Sequence, residues 1–346
     1  MMRFRNGHLT TAVLILGMLR ATITAQEEGK LAVCCTTSDL AALTEAVGGD
    51  QVTITTFAKA PEDPHFVEAK PSFVKALSEA DLFIVVGLEL EVGWAPVLLQ
   101  NCRNKAVLPG NEGYLDASTA IQPLGIPTGA VDRSMGDVHL RGNPHYLLDP
   151  LEGLKVARLI RDRLTAKRPS QGDYFRQRTE AFEGRVGLAL VGEKLALKYD
   201  FRKLALLHER GKLTSFLKEQ GDDSALGGWL GRLASHFGAR VVAEHDLWPY
   251  FARRFGIEVD AFLEPKPGVP PTTKHLGEVV SRMKADGTRV ILSVPYFDPK
   301  HAALVAKACG ARVAAMSHQT GARSPGEDYL TFVGRNVDAL LAAIDG

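Results

Sequence analysis

The feature that most constrains this chain is a rhythm of short β-branched or apolar runs followed by helical stretches. It occurs in two series, one on each side of a long helical segment. In the first half the strand candidates are residues 31–37, 52–58, 81–87 and 105–109, bounded by polar, glycine or proline breaks, with a helical stretch at 70–79. In the second half they are 240–245, 259–263, 289–295 and 312–316, with helical segments at 247–255, 273–285 and 299–308. Strands that alternate with helices build parallel sheets covered by helices. The pattern therefore predicts an α/β protein whose two sheets lie in two lobes. The length, 346 residues, agrees with about two domains on the usual prior of ~100–200 residues each.

The segment between the two series reads as helix over 151–166 and, after Pro169, over 172–198. In the second piece Phe175, Phe182, Val186, Leu190 and Leu197 recur near helical spacing, while Gly184, Gly187 and Gly192 weaken the pattern. A helix of about 27 residues would span about 40 Å, enough to run beside two lobes and join them. An ordinary surface helix is the alternative. Residues 199–238 predict a local excursion with a turn at Gly227-Gly228-Trp229. The expected organisation is a signal peptide over 1–25, an N-terminal lobe over 26–168, a linking helix over 169–198 and a C-terminal lobe over 199–346.

Lysine and arginine total 41 against 40 aspartate and glutamate. That balance argues against a nucleic-acid partner, which a strongly basic face would announce. Arg3 and Arg5 followed by the apolar stretch 9–19 and the small residues of 21–25 have the order of a signal peptide cut after Ala25. The apolar run is shorter than the ~20 residues a spanning helix needs. The reading is an exported, periplasmic protein that does not itself span the membrane and acts as a monomer. The cysteines are Cys34, Cys35, Cys102 and Cys309. None forms a CxxC pair, and they read as small buried residues rather than a disulfide framework. The adjacent Cys34 and Cys35 should face opposite sides of a strand.

Four histidine neighbourhoods carry the candidate chemistry. His65 follows Glu62-Asp63-Pro64 after a strand. His145 follows Gly142-Asn143-Pro144 and precedes a helix, with His139 six residues upstream as a competitor. His245 closes a strand, and Asp246 is a candidate N-cap for the next helix. His318 lies just past the last strand. Ligands of α/β proteins bind beyond the carboxyl ends of strands, so these positions can converge in one cleft between the lobes. Neutral imidazoles suit zinc and other borderline metals, and three or four fit a tetrahedral site. Taken singly, each histidine could equally be solvated or packed.

The order of the motifs resembles the metal-specific solute-binding proteins of ABC importers, the zinc and manganese receptor family. Residues 62–87, EDPHFVEAKPSFVKALSEADLFIVVG, are similar to that family's first ligand motif. NPHYLLDP at 143–150 resembles the second, and HDLWPYFARRFGIEV at 245–259 the third. EPKPGVPPTTKHLGEVVSRMKADGTRVIL at 264–292 extends the likeness, and DYLTFVGRNVDALLAAI at 328–344 resembles the last helix. The resemblance implies two lobes joined by a long rigid helix, with metal ligands His65, His145 and His245 in the interlobe cleft. It also implies release through local rearrangement of the C-terminal lobe. The family often adds a carboxylate after the last strand. Here Ser317-His318-Gln319 stands there, so His318, a water or nothing takes the fourth place. The implied cargo is zinc, with manganese or iron(II) as alternatives, and the implied partners are a permease and its ATPase. Asn143, Asp149 and Asp246 are the nearest candidates to orient the rings. No catalytic residue is expected. A zinc hydrolase is the first rival, although no HExxH is present; a metal-binding adhesin or buffer without a transporter is the second.

Overall fold

The computed structural model describes Met1 and residues 29–129, 139–266 and 268–346. The presumed signal peptide, apart from Met1, lies outside the described residues. Strands β1 (Leu31–Cys35), β2 (Val52–Thr56), β3 (Leu82–Val85) and β4 (Tyr114–Asp116) form one sheet, ordered β2-β1-β3-β4. Strands β5 (Ala239–Ala243), β6 (Ile257–Phe262), β7 (Val290–Ser293) and β8 (Arg312–Ala315) form the second, ordered β6-β5-β7-β8. Every pairing is parallel. The two lobes therefore repeat one topology, and in each the strand order reverses beside the first strand. That reversal opens a crevice past the carboxyl ends of β1 and β3, and of β5 and β7, where such sheets bind ligands.

The inner strands β1, β3 and β7 are buried on both faces, which is why they read as near-continuous apolar runs. On β1, Cys35 faces the largest core and Cys34 the smaller one with Phe57, Phe83 and Trp94, as a period of two requires. All four cysteines are free, and burial pushes the Cys34 and Cys35 thiols up to about 12. The largest core runs through both lobes. It contains Tyr146, Leu154 and Phe175 together with Trp248, Tyr250 and Val333. The final helix Tyr329–Asp345, capped by Asp328, packs against β8 in one lobe and reaches the helix Ser38–Gly48 in the other.

Two expectations are corrected. Residues 105–109 do not form a strand. Asn104 accepts a bond from the Ala106 N–H and winds Lys105–Val107 into one 3-10 turn, and the fourth strand is Tyr114–Asp116. The long helix spans Gly172–Val191, about 30 Å at 1.5 Å per residue, and not 172–198. It breaks at Gly192, whose φ of 80° suits glycine and whose missing Cβ would lie 2.9 Å from the Gly227 Cα. A short helix, Glu193–Lys198, follows. The unassigned stretch 199–238 holds helices Phe201–Glu209, Leu213–Glu219 and Gly228–Leu233. Among the described residues no helix is long and apolar enough to cross a membrane.

Candidate metal centre

His65 sits in the loop that leaves β2. The ladder continues past the strand through the Phe57 and Ala58 N–H groups, bonded to the Cys35 and Thr36 carbonyls. Buried Trp94 then donates its indole N–H to the Pro64 carbonyl, at 3.1 Å, and fixes the loop. Asp63 accepts the His65 backbone N–H and lies 2.7 Å from its Nδ1. The His65 Nδ1–H therefore donates to the Asp63 carboxylate, which leaves Nε2 as the lone-pair nitrogen. Burial opposes the Asp63 charge, but the bonds from His65 and the nearby His245 hold the carboxyl below its ordinary value.

His145 is set by Asn143. The Asn143 Oδ1 accepts the His145 N–H, and its Nδ2 donates to the Asp246 carbonyl of the other lobe at 2.7 Å. The His145 ring is buried, and its Nε2 has no hydrogen-bond partner in the protein. Burial first, then the neighbouring His65 and His245 rings, hold its pKa well below the usual imidazole range, so the ring stays neutral. His245 follows β5, and its Nδ1 meets Glu264 Oε2 at 2.7 Å. Glu264 also accepts the Gly268 N–H at 3.1 Å, which helps hold the carboxylate in place.

The three rings meet across the lobes. Ring centroids are 5.3 Å apart for His65 and His145, 6.2 Å for His145 and His245, and 6.4 Å for His65 and His245. Imidazoles around a tetrahedral zinc at 2.0–2.1 Å would have centroids roughly 5 Å apart. His65 and His145 are thus spaced as in a closed shell, whereas His245 stands about an ångström too far from both, and among the described residues no three such donors already form a shell. The cavities beside them measure about 30 Å³, lined by His65, His245, Glu264 and Phe297, and about 20 Å³, lined by His145 and His318. Spaces of that size suit a bare ion, whereas organic ligands need roughly 300 Å³ or more.

His318 lines the smaller cavity together with His145. Its Nε2 is bonded to the Glu62 carbonyl at 2.9 Å, and its ring packs edge-on against Tyr296 at 4.7 Å. Its Nδ1 is buried without a partner, and burial, opposed mainly by the Glu62 carbonyl, brings its pKa down to about 4. His139, the competitor of the sequence reading, lies with its Nε2 3.1 Å from that of His65.

The orienting groups differ from those expected. Asp149 is buried at the head of the helix Pro150–Lys167 and is paired with Arg254, and Asn143 works through backbone. Asp246 is not an N-cap, because the helix starts at Pro249 and Trp248 precedes it. The carboxylates that hold the rings are Asp63 and Glu264. A dication bound between them would meet neutral imidazole donors and two nearby negative charges.

The family model for ZnuA, described as zinc-uptake complex component A, periplasmic, matches residues 33–188 and 228–343. The chain is 26% identical over 181 residues to the metal ABC transporter substrate-binding lipoprotein SloC of Streptococcus mutans, covering 51% of this chain and 56% of that one. It is 30% identical over 175 residues to the manganese ABC transporter substrate-binding lipoprotein PsaA of Streptococcus pneumoniae, covering 49% and 53%. The chain thus spans little more than half the length of these curated relatives. A crystal structure of ZnuA superposes with a TM-score of 0.64 at 19% identity, over 91% of this chain and 99% of that one, a likeness of fold.

Proposed function

The chain belongs to the ZnuA family of periplasmic zinc-uptake components, and on that premise we propose that it binds a divalent transition metal between its lobes and delivers it to an ABC importer. It is a binding protein, not an enzyme. The site is His65, His145 and His245, with lobes over 26–168 and 199–346 joined through 169–198. His318 gives its Nε2 to the Glu62 carbonyl.

The observation that carries the reading is the Nε2 of His145. It is a buried nitrogen without a partner, in a neutral ring that faces two further imidazoles. A buried polar atom left unpaired costs about 1–3 kcal/mol, which a bound cation would return as a bond. The cargo is zinc. The inward donors are nitrogens, while the nearby carboxylates are turned to the Nδ1 side of their rings; manganese prefers oxygen donors. Release follows from local rearrangement, because one core and the buried Asp149–Arg254 pair span the lobes and resist a rigid rotation.

Metal analysis of the purified protein beside a His65→Ala, His145→Ala, His245→Ala triple variant tests this. Stoichiometric zinc in the parent and none in the variant is expected. A variant that keeps stoichiometric metal refutes the site, and a parent that takes up manganese in preference refutes the cargo.

A further inference from the structure

We propose that His139 is a fourth nitrogen ligand of the same ion, so that the shell is four imidazoles with no carboxylate. This rests on the three-histidine reading and extends it. The Nε2 atoms of His65 and His139 are 3.1 Å apart, with the rings stacked at 5.2 Å. Two donors on a tetrahedral zinc at 2.0–2.1 Å lie about 3.3–3.4 Å from each other. The spacing is thus close to that of two ligands sharing one ion.

Proton positions sharpen the point. The Nδ1 of His65 is committed to Asp63, so its Nε2 carries a lone pair. The His139 ring lies beside the Leu88 backbone.

The anchor of His139 is specific. After β3 the chain turns through Gly87, Leu88 and Glu89 with φ of 80°, 50° and 70°. Consecutive non-glycine residues in the left-handed region are rare and cluster at functional sites. This turn brings the Leu88 backbone to the His139 ring and the Glu89 carboxylate to the Leu140 N–H at 2.8 Å. His318, by contrast, gives its Nε2 to the Glu62 carbonyl.

The test loads wild type, His139→Ala and His318→Ala with Zn²⁺ and with Co²⁺. X-ray absorption counts imidazoles around zinc, cobalt d–d absorption reports geometry, and chelator competition gives affinity. The imidazole count should fall by one in His139→Ala, with affinity weaker by roughly tenfold or more. His318→Ala should keep the wild-type count and spectrum. An unchanged count in His139→Ala, whatever its affinity, overturns the fourth ligand and leaves the three-histidine site standing. The bond between His65 and His139 is then an ordinary imidazole pair. Wild type that binds neither ion overturns both readings.

Discussion

Replacing Asp149 with alanine should destabilise the protein by roughly 4–5 kcal/mol, from two losses. Asp149 has no solvent exposure and accepts Nε and Nη2 of Arg254 at 2.8 and 2.9 Å, in the fork geometry that makes such pairs strong. Arg254 is itself buried, and stranding a buried charge costs about 3–5 kcal/mol. Glu209, 2.6 Å from Arg254 Nη1, keeps that figure in the lower half. Asp149 also accepts the Leu151 N–H as N-cap, worth about 1 kcal/mol more. Urea unfolding followed by fluorescence suits the measurement, because Trp94, Trp229 and Trp248 are all buried. With a slope of about 3 kcal/mol/M, the midpoint should drop by about 1.5 M. Adding Arg254→Met removes the stranded charge and should recover part of the loss. A loss under about 1 kcal/mol, or a double variant no more stable than Asp149→Ala, would refute the reasoning.

Two further outcomes are expected. Glu264→Gln and Asp63→Asn leave the donors in place but loosen their rings, so zinc affinity by chelator competition should weaken roughly 10–100-fold in each; unchanged affinity would remove both carboxylates from the site. Asp39, buried and accepting the N–H and hydroxyl of Thr320 from the other lobe, has its pKa pushed up to about 7, chiefly by burial. The folded state holds that proton more tightly than the unfolded chain, where the group titrates near ~3.9. Its stabilising contribution is therefore complete below about pH 4 and is lost as pH rises through about 7. Asp39→Asn should flatten the decline of stability between pH 5 and 8 by up to about 1.4 kcal/mol per pH unit, and a pH profile parallel to that of wild type would count against it.

What could be read in the sequence, and what could not, follows from where each signal resides. His65, His145 and His245 could be singled out as candidates because each lies on a loop beyond a strand or at the head of a helical turn, and parallel sheets gather such loops around one crevice. The central strands were legible for a local reason, since their apolar runs persist over four or five residues. Residues 105–109 misled because an asparagine side chain before them competes for the backbone and winds it into a turn. Strand β4, with three residues, is too short to display a period. Glu264 was invisible as a partner of His245 at 19 residues' separation. It becomes one because the parallel ladder runs on past both strands, through the Leu263 and Glu264 N–H groups bonded to the Ala243 and Glu244 carbonyls. A residue just beyond one strand is then held beside its counterpart on the next. His139 is harder still, since Glu89, the carboxylate that anchors its neighbour Leu140, lies 51 residues before that residue, on a turn whose left-handed backbone leaves no mark in residue type. The candidate ligands thus lie on loops beyond strands or at the head of a helical turn, whereas the groups that aim them are set by register and by a turn, and only folding brings the two together.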